Sequence, residues 1–212
     1  MLLYLLRHGE TDWNAQRRIQ GVSDTALNAT GLAQARALAG PLRGRSIAAF
    51  YSSPLRRARQ TAEVLAGELG LGVRLEPRLS ELDQGKLEGL RIDQVEAQYN
   101  GFMEEWRSRP AGLRMPGGET LAELQERAWA AVEDLRSAHP RETIAAVSHN
   151  LAISAVLCRV LGIDLNAFRR IRQFNAALNL VEHSPARGWN VVIMNSLAHL
   201  SGVPDSEGSP YL

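Results

Sequence analysis

Residues 2–11 read LLYLLRHGET, a short apolar run followed at once by an arginine and a histidine. A run that is apolar throughout, rather than alternating, is typical of a β-strand covered on both faces. Two further stretches have the same character, IAAFYSS at 47–53 and TIAAVS at 143–148. The opening stretch therefore predicts a buried strand whose carboxyl end carries Arg7 and His8.

Helical patterns separate these strands. They lie at 31–40, 55–69, 119–138 and 150–161. Gly40-Pro41 is expected to end the first helix. Later runs predict a short strand at 72–76 and two more at 177–183 and 189–195. Strands alternating with helices indicate an α/β fold, a three-layer α/β/α sandwich with a mostly parallel central sheet.

The length of 212 residues fits a single domain, which we place at about 1–200. The polar segment at about 89–118 reads as an insertion that caps the sheet edge. Residues 201–212 are rich in Ser, Gly and Pro and predict a flexible tail.

Composition bears on partners and location. A net charge of +1 argues against a dedicated nucleic-acid binder. No apolar run is long enough to span a membrane, and the N-terminal run is too short for a secretory signal. Cys158 is the only cysteine, so no internal disulfide can form. We expect a cytoplasmic protein with no nucleic-acid or membrane partner, and a homodimer is left open.

Polar side chains follow three of the buried runs. Arg7 and His8 follow the first, Arg56 and Arg57 lie just after the second, and His149 follows the third. Ligands of parallel sheets gather at the carboxyl ends of the strands, so these side chains are expected to converge. A neutral imidazole can attack phosphorus, and guanidinium groups bind phosphate oxygens in a fork. The pattern indicates a site for phosphoryl transfer.

Four segments, in order, resemble the motifs of the histidine phosphatase superfamily, in its phosphoglycerate mutase-like branch. They are LLRHGETDWNAQRRIQG at 5–21, SSPLRRARQTA at 52–62, LSELDQGKLEG at 79–89 and VSHN at 147–150. The likeness extends over about 2–199 and implies the fold of that family.

The resemblance implies a role for each matching residue. His8 matches the histidine that becomes phosphorylated. Arg7 and Arg57 match the arginines that hold the transferred phosphoryl group. His149 matches a second pocket histidine that binds the same group. Glu81 matches the carboxylate that protonates the leaving oxygen and then activates water.

Other positions are assigned less directly. Asn14 matches an amide donor of the pocket. Gln20 and Gly21 either line the substrate side or are structural, and both interpretations stay open. Asp83 competes with Glu81 for the role of acid, although motif position favours Glu81. No metal ion or other cofactor is expected, because no carboxylates and histidines show metal-ligand spacing.

The capping segment bears on the activity. It lacks the arginine pair and the proline-rich stretch of the family's glycolytic mutases, which favours the short phosphatase type. We therefore expect a histidine acid phosphatase-type enzyme that hydrolyses phosphate monoesters of small metabolites through a phosphohistidine. The alternatives are a cofactor-dependent phosphoglycerate mutase and a catalytically inactive module that binds a phosphorylated ligand. The presence of His8, Glu81 and His149 argues against the inactive module.

Overall fold

The structure is a computed structural model in which residues 1–201 are described. Within that range the chain forms one sheet of six strands. The strands are β1 (Leu2–Arg7), β2 (Ile47–Ser52), β3 (Val73–Leu75), β4 (Thr143–Ser148), β5 (Leu178–Ser184) and β6 (Gly188–Ser196). Their order across the sheet is β3-β2-β4-β1-β5-β6. The first four run parallel, whereas β5 is antiparallel to β1 and β6 is antiparallel to β5. The predicted, mostly parallel sheet is confirmed.

The described residues also form α-helices between and beside the strands. They are α1 (Asp12–Ala15), α2 (Ala29–Leu42), α3 (Arg56–Glu68), α4 (Ile92–Gln98), α5 (Phe102–Ser108), α6 (Leu121–Ala138) and α7 (Asn150–Leu161). Of these, α4 and α5 belong to the segment predicted to cap the sheet edge. None of the helices within residues 1–201 has both the length and the apolar surface that crossing a bilayer requires.

Strand β1 divides its side chains between two cores. Leu3 and Leu5 pack into the core that includes α6 and α7, whereas Tyr4 and Leu6 pack into the core that includes α2 and α3. Successive residues of a strand point to opposite faces, and here each face meets a layer of helices. This arrangement explains why the run is apolar throughout, and it confirms the three-layer sandwich.

One predicted helix end is wrong. The helix expected to stop at Gly40-Pro41 continues to Leu42, so that Pro41 lies inside α2. Proline lacks a backbone N–H, so Pro41 cannot donate a helical hydrogen bond to the carbonyl four residues before it. Because only Leu42 follows it in the helix, the loss is confined to the last turn. The single-domain boundaries stay a prediction, and residues 202–212 of the predicted tail lie outside the described residues.

A close backbone approach brings the first motif against α2. A Cβ atom added to Gly9 would lie 2.9 Å from the Cα of Gly31, which is closer than real side chains come. Only glycine fits at both positions of this contact. The loop that leaves β1 is therefore held directly against the first turn of α2.

Candidate active site

The carboxyl ends of β1, β2 and β4 meet at one polar pocket, called here the phosphate pocket. It is lined by Arg7, His8, Asn14, Arg18, Gln20, Gly21, Arg57, Glu81 and Asn150. His149 follows β4, and its ring centroid lies 5.2 Å from that of His8. The structure therefore brings together the residues to which the resemblance gave a role, together with Gln20 and Gly21, whereas Asp83 lies elsewhere.

His8 presents a lone pair to this pocket. Its Nδ1 lies 2.6 Å from the carbonyl oxygen of Gly9. A carbonyl can only accept, so Nδ1 carries the proton and Nε2 carries the lone pair. Burial, followed by the positive charges of Arg57 and Arg7, holds the pKa of His8 well below its usual range. The imidazole is therefore neutral and can act as a nucleophile through Nε2.

Arg57 contacts the lone pair on His8 Nε2. Its Nε donates to His8 Nε2 at 3.2 Å, while its two terminal nitrogens donate to the carbonyls of Gly21 at 2.7 Å and Ser23 at 2.8 Å. The side chain is buried, whereas that of its neighbour Arg56 is exposed. Because three bonds fix the guanidinium plane, Arg57 is preorganised to face an anion beside His8.

Arg7 approaches from the end of β1. Its Nη1 donates to the carbonyl oxygen of Gln173, which lies in the loop before β5. The side chain is buried, and its charge lowers the pKa of both His8 and His149. Arg7 and Arg57 therefore bring two buried guanidinium groups to the pocket, and Arg18 adds a third that is only partly buried.

Glu81 brings a carboxyl group to the same pocket. Its Oε1 accepts from the backbone N–H of Leu82 at 2.9 Å, and its Oε2 accepts from that of Leu151 at 3.2 Å, in the first turn of α7. Burial raises the pKa of Glu81, against these N–H groups and the two arginines, which lower it. The raised pKa favours the protonated form, which a general acid needs.

Asp83 occupies a different environment. Its Oδ1 accepts from the backbone N–H of Gly85 at 2.9 Å and so stabilises a turn. Among the described residues, the lining of the phosphate pocket includes Glu81 and does not include Asp83.

His149 caps the start of α7 and is held by Ser53. Its Nε2 lies 2.8 Å from Ser53 Oγ, which also accepts from the N–H of Leu55 at 3.3 Å. The hydroxyl proton of Ser53 can therefore point to Nε2, which leaves the ring proton on Nδ1. Within residues 1–201, Nδ1 is buried and has no hydrogen-bond partner. Burial, then the charge of Arg57, lowers the pKa of His149, so the ring is neutral and offers one donor.

Two amide side chains have their oxygens occupied. Asn14 Oδ1 accepts from the N–H of Thr11 at 3.1 Å and from Asn175 Nδ2 at 3.2 Å. Gln20 Oε1 accepts from the hydroxyls of Thr11 at 3.0 Å and Thr25 at 2.6 Å. With the oxygens engaged, the NH₂ groups are the ends that can donate to an anion.

Several residues of the site went unassigned in the sequence. Arg18 and Asn150 line the phosphate pocket, and both lie inside the quoted motifs, where spacing could have signalled them. Ser53 also lies in a motif, but only its contact with His149 shows what it does.

Two further residues stabilise the backbone segments that carry pocket residues. Arg127 of α6 donates to the carbonyls of Ser80 at 2.8 Å and Glu81 at 2.7 Å. Glu88 accepts from the N–H groups of Val22 at 2.8 Å and Ser23 at 2.9 Å, in the loop that binds Arg57. Charged side chains are common on helices and loops, so no local pattern distinguishes these two.

The described residues contain no group of three or more His, Cys, Asp or Glu side chains arranged to hold a metal ion. The pocket combines a neutral nucleophile, two buried arginines with Arg18 beside them, and a carboxyl of raised pKa, and the neighbouring His149 adds a donor. This set can transfer a phosphoryl group from oxygen to nitrogen and protonate the oxygen that leaves.

Comparison with known proteins supports the same assignment. A family model described as the histidine phosphatase superfamily (branch 1) matches residues 3–196. The probable phosphoglycerate mutase GpmB of Photorhabdus laumondii is 41% identical over 206 residues, which cover 93% of this chain and 94% of the relative.

Solved structures also align with this chain over most of its length. YhfR of Bacillus stearothermophilus aligns with a TM-score of 0.89 at 27% identity, covering 94% of this chain and 98% of that one. A mycobacterial glucosyl-3-phosphoglycerate phosphatase in complex with VO3 aligns with a TM-score of 0.83 at 30% identity, covering 92% and 99%. The chain, whose four motifs meet in a single pocket, belongs to branch 1 of the histidine phosphatase superfamily.

Proposed function

We propose that the protein is a phosphatase that hydrolyses phosphate monoesters of small metabolites through a phosphohistidine on His8. The observation that carries this proposal is the position of the proton on the His8 imidazole. Its proton is held on Nδ1 by the Gly9 carbonyl, and its Nε2 lone pair faces a pocket that contains Arg7 and Arg57.

In the first step, His8 Nε2 attacks phosphorus, a P–N bond forms and the ester P–O bond breaks. Glu81 gives its proton to the departing oxygen, because an alkoxide is a poor leaving group. The room between the pocket side chains is only about 10 Å³, close to that of one water molecule. Entry of the phosphoryl group therefore requires that Arg57 Nε release His8 Nε2 and donate to a phosphoryl oxygen instead.

In the second step, water attacks the phosphohistidine. Glu81, now a carboxylate, takes the proton of that water, the P–N bond breaks, and inorganic phosphate leaves with His8 restored. The arginines and the Nδ1–H of His149 stabilise the charge on the phosphoryl oxygens in both steps.

Catalysis in this scheme requires no metal ion, since Arg7 and Arg57 supply the positive charge that divalent ions supply in other phosphatases. Treatment with a chelator should leave the release of phosphate unchanged. A large loss of turnover that one divalent ion restores would contradict this part of the proposal.

A second candidate function is phosphoglycerate mutase, favoured by the name given to the Photorhabdus relative. A mutase transfers the phosphoryl group from His8 to a bound phosphoglycerate instead of to water. Hydrolysis is supported by the wall next to the phosphate pocket, where apolar side chains predominate. A second phosphate together with a carboxylate would require more charged donors than this wall provides, since Arg107 is paired with Glu96 and only Arg169 is left without an acidic partner among the described residues.

The deciding experiment supplies 3-phosphoglycerate with catalytic 2,3-bisphosphoglycerate and, separately, a panel of phosphate monoesters. Release of inorganic phosphate from monoesters, faster than any isomerisation, is the result expected of a phosphatase. Isomerisation that outpaces phosphate release would establish the mutase. No turnover of either kind, with a phosphorylated ligand still bound, would indicate the inactive binding module.

A further inference from the structure

A second cavity, called here the apolar pocket, lies beside the phosphate pocket and has a volume of about 290 Å³. Its apolar wall includes Ile19, Leu87, Phe102, Met103, Trp106 and Met115. Three of these side chains come from α5, so the capping segment forms much of the wall.

The two pockets adjoin each other along two segments of the chain. Ile19 lines the apolar pocket, and the next two residues, Gln20 and Gly21, line the phosphate pocket. On the opposite wall, Gln84 lines the apolar pocket, and its Cβ would lie 2.9 Å from a Cβ added to Gly21. The apolar pocket is therefore the neighbouring cavity in which the alcohol of an ester bound at His8 can be placed.

The volume of the apolar pocket indicates the size of the alcohol that would fill it. A cavity of about 150 Å³ lined by aliphatic and aromatic side chains accommodates benzene, and this pocket is larger, at about 290 Å³. A three-carbon fragment would leave most of the apolar wall without a partner. A ring with a short chain would fill it and remove apolar surface from water on both sides.

Arg169 places one positive charge at this wall. Its guanidinium carbon lies 5.2 Å from the Trp106 ring centroid and 4.7 Å from that of Phe168, and its Nη2 donates to the Trp106 carbonyl at 2.8 Å. Arg107, its neighbour in the pocket, is paired with Glu96 at 2.6 Å. Arg169 has no such acidic partner among residues 1–201.

The surroundings of Arg169 favour an anion. Burial and then the like charge of Arg107 lower the pKa of Arg169, and a bound anion would offset both effects. A carboxylate can bind a planar guanidinium through two parallel hydrogen bonds.

We propose that the preferred substrates are phosphate monoesters of apolar, ring-sized alcohols that also carry a carboxylate. The ring occupies the apolar pocket, and the carboxylate binds Arg169. This inference rests on the proposed function, because it places the phosphoryl group of the ester at His8.

Three esters with alkyl leaving groups of similar acidity test the proposal: n-propyl phosphate, 3-phenylpropyl phosphate and 3-(4-carboxyphenyl)propyl phosphate. The ring should raise kcat/KM about 10- to 100-fold over the propyl ester, the range expected when one aromatic group is buried. The carboxylate should raise it about tenfold more, as one charge-assisted pair does. Equal kcat/KM values for the three esters would overturn the proposal.

Paired variants assign each preference to its pocket residue. Arg169→Gln should remove the preference for the carboxylate, whereas Arg170→Gln, an exposed change in the same 3₁₀ turn, should leave it intact. Met103→Gln should reduce the preference for the ring. Met194→Gln, the same change on exposed β6, should not. If each control has the same effect as its partner, the pocket does not select the substrate.

Titration calorimetry with the product alcohols distinguishes a failure of the proposed phosphatase function from a failure of the proposed substrate class. If no ester is hydrolysed, the proposed function fails, but tighter binding of 3-(4-carboxyphenyl)propanol than of propanol, lost in Arg169→Gln, still supports the pocket. If all esters are hydrolysed at similar rates and the alcohols bind equally weakly, the phosphatase stands and the substrate class fails.

Discussion

The phosphate pocket and the apolar pocket share a wall but are built in different ways. In the phosphate pocket, hydrogen bonds hold each reacting group, as with His8 on Gly9 and Arg57 on Gly21, and only about 10 Å³ is left between the side chains. The apolar pocket is about 290 Å³ in volume and most of its wall makes no directed bonds.

This difference indicates that the phosphate pocket stabilises the reacting charge and the apolar pocket selects the substrate. Charge that develops during a reaction is best stabilised by dipoles and cations fixed in advance, which the phosphate pocket provides. An apolar wall selects by size and burial, which discriminate more weakly but adapt to more ligands. We therefore expect changes in the phosphate pocket to affect rate and changes in the apolar pocket to affect preference.

The largest effect is expected for His8→Ala. Loss of the nucleophile should lower kcat by on the order of 10⁴-fold or more. Acid-quenched wild-type enzyme given a labelled ester should carry acid-labile phosphate, and the variant should carry none. His183→Ala on β5, outside the pocket, serves as the control. Labelling that survives in His8→Ala would assign the nucleophile to another residue.

Arg57→Ala should have the next largest effect. Removing its charge-assisted bonds to the phosphoryl group should lower kcat/KM by about 10²- to 10³-fold, or about 3 to 4 kcal/mol of transition-state stabilisation. Arg56→Ala, on the exposed side of the same turn, should change it little. Circular dichroism of both variants checks that the fold persists. A greater loss in Arg56→Ala would show that the second motif is aligned one residue out of place.

Glu81→Gln should have an effect that depends on the ester. For an alkyl ester, kcat/KM should fall by about 10²-fold, because the alkoxide then leaves without a proton. For an aryl ester the fall should be small, since an aryl oxide leaves unaided. kcat/KM is the quantity to compare because it reports the steps up to the first bond cleavage. Equal slowing of the two esters would remove Glu81 as the general acid and direct attention to Asp83.

The pH profile should reflect opposite shifts in two pKa values. The lowered pKa of His8 keeps the ring neutral below its ordinary value of about 6.5, so the acid limb of kcat/KM should lie below that pH. The raised pKa of Glu81 keeps the carboxyl protonated above its ordinary value of about 4.3, so the alkaline limb should lie above it. Each limb should change about tenfold per pH unit for an alkyl ester. Glu81→Gln should remove the alkaline limb alone, and an acid limb above pH 6.5 would contradict the neutral His8.

The smallest effect is expected for Arg127→Met, because Arg127 does not line the phosphate pocket; the change removes the bonds to the carbonyls of Ser80 and Glu81 and the ion pair with Glu119. A less firmly positioned Glu81 should lower kcat for alkyl esters by about tenfold or less and leave KM nearly unchanged. Aryl esters should be affected less, because they need no proton from Glu81. Arg159→Met, a similar change at the exposed end of α7, is the control. A uniform loss for both ester types would indicate a general structural role for Arg127.

The sequence predicted most of the fold because its signals are local. The apolar run before Arg7 predicts a doubly covered strand from adjacent residues alone, and the segments at 47–53 and 143–148 follow the same rule. The exception is Pro41, which a local rule places at a helix end. The cost of a proline also depends on its position in the helix, and it is small in the last turn.

The phosphate pocket was accessible from the sequence for a similar reason. His8, Arg57, Glu81 and His149 lie in short motifs at strand ends, and parallel strands place their carboxyl ends at one edge. Residue types and motif order therefore sufficed to assemble the pocket. They did not show that the Gly9 carbonyl selects the protonated nitrogen of His8, which is a matter of ring orientation.

Contacts between distant parts of the chain were decided by the tertiary structure alone. Ser53 meets His149, and Arg127 reaches back to the carbonyl of Glu81, across long stretches of sequence. The apolar pocket likewise joins Ile19, the α5 side chains and Arg169, which share no motif. The amino-acid sequence by itself determined the sheet, its helices and the reacting groups, because periodicity and motifs are properties of neighbouring residues. Only the packed structure decided which side chains orient those groups and what shape of alcohol lies beside them, because side-chain direction depends on elements that meet only after folding.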